Sequence, residues 1–139
     1  MKIREFDYQH DLQAVLDLWQ EGYPGIQLSP SDDPKEIRKK LQRDPDLFLV
    51  AVDDARVVGV VMGGFDGRRG MVYHLAVVAS YRMAGVGRAL MEELERRLRL
   101  KGCLKYYLLV TKDNQDAISF YERMGCEVMN LFVMGKMFQ

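Results

Sequence analysis

The chain has 139 residues, 48% apolar and 29% charged, and its twenty basic residues are balanced by twenty acidic ones. That length suits one domain with a substantial core, so residues 1–139 are expected to fold as a single domain. Zero formal net charge removes the field that draws a protein to nucleic acid or an anionic membrane, and no apolar run reaches bilayer-spanning length. The N-terminal residues lack a signal peptide's apolar stretch. Cys103 and Cys126, the two cysteines, have neither zinc spacing nor the density of a disulfide scaffold. They read as small hydrophobes in a reducing compartment. The expectation is a cytoplasmic protein without metal, nucleic-acid or membrane partners.

In chain order, residues 2–6 read as a short strand. Asp7 caps a helix in which Leu12, Val15, Leu16 and Trp19 share a face, and Gly22, Pro24 and Gly25 end it. An irregular segment to Asp33 precedes a second helix, with Pro34 in its first turn and Arg38, Lys39 and Lys40 later, an order that suits the helix dipole. Leu47 to Val52 and Arg56 to Phe65 read as a hairpin around Asp53-Asp54-Ala55. Asp66 to Gly70 turns the chain into a strand over Met71 to Val78. A long helix starts near Gly85, burying Val86, Leu90, Leu94 and Leu98, with Glu92–Arg96, Glu93–Arg97 and Glu95–Arg99 as i,i+4 pairs. Gly102 supplies its left-handed closing residue. Leu104 to Thr111 reads as a buried strand, Asn114 to Met124 as a helix, and Cys126 to Phe138 mostly as strand. Central hairpins followed by helical crossovers make a mixed sheet in an α/β domain.

The chemistry concentrates where the strand Met71 to Val78 runs through a glycine loop into the long helix. A helix N-terminus leaves about four backbone N–H groups unsatisfied at the positive end of its dipole. Gly85 and Gly87 let an anion approach those amides closely, and Arg82 and Arg88 add charge, so a pyrophosphate fits. Gly-x-Gly alone is equally a tight turn. A dinucleotide fingerprint is disfavoured, because Leu90 stands where its third glycine belongs and no acidic residue about twenty positions on ends a second strand.

Tyr81-Arg82-x-x-Gly85-x-Gly87-Arg88-Ala89-Leu90 resembles the coenzyme A signature of the GNAT N-acetyltransferase superfamily, Gln/Arg-x-x-Gly-x-Gly/Ala. Asn114-Gln115-Asp116-Ala117-Ile118-Ser119-Phe120-Tyr121 and Gly125 are similar to that family's second motif, Asn-x-x-Ala-x-x-Phe-Tyr-x-x-x-Gly. The resemblance spans essentially the whole chain. It implies an α+β GNAT fold, a central twisted mixed sheet of about six to seven strands flanked by about four helices. It implies acetyl-coenzyme A as co-substrate, held by the backbone of Leu75, Ala76 and Val77, by the loop Arg82, Met83, Ala84, Gly85, Val86, Gly87 and Arg88, and by Asn114 and Tyr121. Met83 and Ala84 depart from the glycine and basic residue that relatives commonly carry there.

The implied reaction is direct attack of a primary amine on the thioester in a ternary complex. The backbone N–H near Val77 is the candidate for polarising the carbonyl. Tyr121 is the candidate general acid, the alternative being simple packing beside the cofactor. No carboxylate occurs on the strands Met71 to Leu75 or Tyr107 to Thr111, so the general base is open. His74 is the one side chain there that titrates near neutrality. A packed core histidine, Tyr73 acting through a water, and no dedicated base are the alternatives. In relatives that acetylate protein N-termini a glutamate commonly stands at the position of Leu109, which points instead to a small-molecule amine. A peptide acceptor and a non-catalytic acetyl-coenzyme A module are the competing readings. Residues 22–33, the helix after them and the Asp66 to Gly70 turn are expected to set acceptor choice. Glu21, Asp32, Asp33 and Asp66 are expected to serve as caps and turns, the alternative being attraction of a cationic amine. Exposed sheet edges and the Leu131 to Phe138 run are compatible with either a monomer or a homodimer.

Overall fold

Every helix and strand that positions the site follows from a local signal in the chain. A computed structural model describes residues 1–22 and 24–139. Tyr23, inside the segment expected to shape acceptor choice, lies outside the described residues. The described residues group into two compact units, Met1–Leu109 and Val110–Gln139.

In the first unit, β1 (Lys2–Glu5), β2 (Phe48–Asp53), β3 (Arg56–Phe65), β4 (Gly70–Val77) and β5 (Tyr106–Leu108) form one sheet in sequential order. The first four are antiparallel neighbours, and β5 joins β4 in parallel. Asp54 and Ala55 both take positive φ, 52° and 63°, the pair of left-handed residues that a two-residue hairpin matched to strand twist requires.

Helix α1 (Tyr8–Glu21) is capped by the Asp7 carboxylate, which accepts from the amides of Gln9 and His10. Its Val15, Leu18 and Trp19 pack against Phe6, Phe48, Val50, Val60 and Met62. The alternate residues of the sheet face α3 (Val86–Leu100). There a Cβ added at Gly59 would meet Leu90 and Val86 at 2.9 Å, and one at Gly63 would meet Leu94 at 2.7 Å. These glycines let the helix lie close on the sheet. The α3 pairs partly differ from the expected ones. Glu93 holds Arg97 and also Arg96, Glu95 holds Arg99, and Glu92 is taken by Arg88. Helix α2 (Pro34–Arg43) buries Ile37 and sets Arg38 over the Tyr8 ring at 4.4 Å.

The second unit contains α4 (Gln115–Arg123), closed by Gly125 at φ 94°. Two expectations are corrected. Among the described residues the sheet has five strands rather than six to seven, because residues 126–138 carry no strand and most of their apolar side chains are exposed. The expected strand from Leu104 to Thr111 contracts to Tyr106–Leu108, with Leu104 and Leu109 exposed. Strand form needs a paired ladder, which β-branched and apolar composition cannot supply. Cys103 is a buried thiol, and no described helix is long and apolar enough to cross a membrane.

Candidate active site

The loop before α3 is built for approach by an anion. Tyr81 anchors its start, its hydroxyl donating to Asp53 Oδ2 at 2.7 Å. Arg82 Nε donates to the Val77 carbonyl at 3.2 Å, and the exposed Met83 adopts φ 66°. Gly85 then initiates the helix at φ 85°, where an added Cβ would find nothing within 4 Å. No side chain caps the helix and no acid occupies its first turn, unlike α1 and α4, whose N-caps are Asp7 and Asn114. The amides at the positive end of α3 therefore carry no side-chain cap, with Arg82 and Arg88 flanking them in the chain. The Arg88 guanidinium leans back along the helix to Glu92, 2.9 Å away.

The strand leading into this loop is half unpaired. Pairing of β4 with β5 ends at Val72↔Leu108, so the β4 edge beyond Val72 faces no strand of the sheet. The Val78 amide donates to Val58 of β3. Backbone groups alternate sides along a strand, so the Val77 N–H points the other way, toward the open edge. The Val77 carbonyl, bound by Arg82, lies on that same side. This geometry fits the extended arm and pyrophosphate of a coenzyme A molecule. Val77, and by the same alternation Leu75, have backbone groups free for strand-like hydrogen bonds, whereas those of Ala76 turn to Val60 of β3, and the loop from Arg82 to Arg88 could hold phosphates.

Between these halves β4 carries a bulge. Val60 pairs with Ala76 and Met62 with Tyr73, so Val61 stands opposite both His74 and Leu75. His74 takes φ 50°, a costly conformation for a residue with a side chain. Three contacts hold it there. Trp19 Nε1 donates to the His74 carbonyl at 3.2 Å, the Trp19 ring meets the imidazole edge-on at 5.0 Å, and His74 Nε2 lies 3.0 Å from Asp32 Oδ1. The side chains of this pair are only 17% and 10% exposed.

The Asp32 carboxyl is held below the usual carboxylate range. Burial opposes the ionised form, and the His74 hydrogen bond together with the Ser29 amide outweighs it. An ionised carboxylate only accepts hydrogen bonds, so Nε2 carries the proton. In the neutral ring Nδ1 then holds the lone pair. No buried side-chain nitrogen or oxygen among the described residues lacks a partner. Nδ1 makes no hydrogen bond there, so it keeps an accessible face. His74 is thus a hydrogen-bonded, largely buried histidine that also presents a basic nitrogen.

Asp32 was expected to be a cap, and it is one: Oδ2 accepts from the Ser29 amide in a capping box. Its other oxygen reaches His74 across 42 positions, and sequence spacing carries no signal for that. Asp66 fits its expected role, its Oδ1 accepting from the amides of Arg68 and Arg69. The sequence also gave no sign of a cleft of about 470 Å³ beside Tyr73, lined by α2, the β3–β4 turn and the start of β5. Its lining includes the pair Lys40–Asp44, with Nζ 2.9 Å from Oδ2. Tyr73 and His74, adjacent in sequence, both turn to the α1/α2 side because of the bulge.

In the second unit, Asn114 Oδ1 accepts from the Ala117 amide and caps α4. Tyr121 packs edge-on against Phe120 at 5.1 Å, and its carbonyl accepts from the Cys126 amide. Burial, with a smaller contribution from Cys126, pushes the Tyr121 phenol well above its ordinary value. No cluster of acidic, histidine or cysteine side chains among the described residues could hold a metal ion.

Residues 12–126 match the model of the acetyltransferase (GNAT) family. An acetyltransferase of Pectobacterium atrosepticum is 42% identical over 137 residues, 98% of this chain and 94% of that protein. Among solved structures, Ard1 from Thermoplasma volcanium superposes with a TM-score of 0.78 at 28% identity, covering 89% of this chain and 80% of that one. The PaiA N-acetyltransferase from Thermoplasma acidophilum, solved with coenzyme A, shares the fold with a TM-score of 0.81 at 22% identity over 94% and 92% of the two chains. The chain belongs to the GNAT family of acetyltransferases.

Proposed function

We propose that the protein is an N-acetyltransferase that moves an acetyl group from acetyl-coenzyme A to the primary amine of a small molecule. The observation that carries this reading is the continuity of three features along one strand and its loop. They are the acceptor-side His74–Asp32 pair at the bulge, the unpaired edge of Leu75 to Val77, and the uncapped start of α3. Acetyl-coenzyme A supplies the acyl group already activated as a thioester.

The chain's residues supply the rest. Val77 N–H polarises the carbonyl as a preorganised donor. His74 Nδ1 takes the proton from the attacking amine, while Asp32 holds Nε2–H and stabilises the imidazolium as it forms. Tyr121, kept protonated by burial, donates to the departing sulfur. A cleft of about 470 Å³ beside Tyr73 lies within the range of small-molecule sites, which favours a small acceptor.

Calorimetric titration with acetyl-coenzyme A tests the donor half. Saturable binding is expected, and Gly87→Glu should abolish it by placing a carboxylate among the helix N-terminal amides. A native chain that binds no acetyl-coenzyme A would overturn the reading. Release of free thiol across small amines, amino acids and peptides tests the acceptor half. Turnover confined to peptides would replace the small-molecule acceptor.

A further inference from the structure

The cleft between α2 and the β3–β4 turn has an uneven charge balance. Three cations line it, Lys40, Arg43 and Arg69, against two carboxylates, Asp44 and Asp66. Both carboxylates are committed. Asp44, 6% exposed, takes Lys40 Nζ at 2.9 Å and Arg43 Nε at 3.7 Å. Asp66 Oδ1 takes two backbone amides of its own turn, which hold its carboxyl below the usual range. Arg43 is committed as well, its Nη2 donating to the Phe65 carbonyl at 2.9 Å. The Arg69 guanidinium, only partly exposed, has no ion pair or hydrogen bond among the described residues. Five planar N–H donors therefore face the cleft with one unmatched positive charge.

The walls beside that charge are aromatic, Tyr73 and Tyr107, and Tyr73 meets His74 edge-on at 6.4 Å. Tyr73 thus stands between the cleft that it lines with Arg69 and the imidazole beside it. The surplus is a single charge, which matches a carboxylate better than a doubly charged phosphate, and guanidinium pairs with carboxylate in a bidentate fork.

We propose that this cleft binds the carboxylate end of the acceptor through Arg69, so that the substrate is an amino acid or another amine with an apolar body and a carboxylate. This rests on the acetyltransferase reading for the role of the ligand, but not for its binding. The amine end lies toward His74, the apolar body against Tyr73 and Tyr107, and the carboxylate at Arg69. The Lys40–Asp44 pair forms the neutral floor beneath it.

The test is titration of the full chain, without coenzyme A, with N-acetyl-phenylalanine, N-acetyl-leucine and N-acetyl-glutamine, each against its C-terminal amide. At least one acid is expected to bind tenfold or more tightly than its amide. Arg69→Gln should erase that preference, Arg69→Lys should keep part of it, and Arg99→Gln, an exposed change on α3, should leave it intact. Thermal melts of the variants show that they remain folded. Equal binding of acid and amide throughout, no binding of any acid, or a preference that survives Arg69→Gln would each overturn the proposal. Acetyl-coenzyme A titration on the same samples separates the two failures. Cofactor binding without carboxylate preference sinks the subsite alone, and carboxylate preference without cofactor binding sinks the acetyltransferase reading alone.

Discussion

Asp32 and His74 stand 42 positions apart in the chain and meet at 3.0 Å, carboxylate oxygen to ring nitrogen. The contact fixes the tautomer of a histidine that the β4 bulge has already turned toward α1. Replacing the acid by its amide leaves a cap for Ser29 but removes the acceptor-only partner of Nε2. Asp32→Asn is therefore expected to lower kcat about tenfold or more, and His74→Gln about a hundredfold, with little change in acetyl-coenzyme A affinity. A positioning role makes the two effects non-additive. On the His74→Gln background Asp32→Asn should cost nothing further, and steady-state kinetics of the double variant decides this. An additive loss would place Asp32 outside the reaction.

Tyr121 is held protonated by burial, so it remains a donor throughout the working pH range. A thiol of pKa about 8.5 is already a fair leaving group, so in the proposed reaction the phenol would assist without being essential. Tyr121→Phe should slow kcat about tenfold and leave the alkaline side of the pH–rate profile in place. A kcat unchanged in that variant would contradict the assignment.

Gly85 separates backbone conformation from space. At φ 85° with nothing near an added Cβ, Gly85→Ala introduces conformational strain and no clash. It should lower unfolding free energy by about 1–2 kcal/mol, read from urea denaturation. The bound phosphates need close approach to the helix amides, so acetyl-coenzyme A affinity should fall as well.

Glu93 supplies a pH signature. Arg96 and Arg97 bring its carboxyl from 4.5 down to about 2. A lowered folded value means stability that is complete above the unfolded value and lost as pH falls toward the folded one. Glu93→Gln should therefore be less stable than the native protein at pH 7, by about 1 kcal/mol for a partly solvated pair. The difference should shrink between pH 4.5 and 2 and vanish below. Denaturant titrations at pH 7 and pH 2 measure both ends.

What could be read in advance follows the range of the forces involved. The α3 helix, its left-handed closing glycine at 102 and the hairpin at Asp54-Ala55 are local devices, and local patterning gives them away. The glycine loop before α3 was legible for the same reason, since its glycines, arginines and helix are consecutive. The acceptor side was not. Asp32, Trp19 and His74 come from three separate elements, and only the closed fold brings them together. The bulge that aims His74 is a mismatch between two strands, invisible in either alone. Residues 126–138 show the converse, with apolar composition suited to a strand but no strand formed.

The bulge at His74 also divides β4 into two independently variable stretches. Residues before it, Met71 and Tyr73, border or line the cleft proposed for the acceptor, while Leu75 to Val77 after it form the edge that leads to the glycine loop. An extra residue at the junction absorbs the change in register, so side chains on one stretch can be exchanged without rotating those on the other. Substrate preference can therefore drift within such a lineage while the donor-binding half stays fixed. Engineering a new acceptor should begin at Tyr73, Arg69 and α2, and leave the strand beyond His74 untouched.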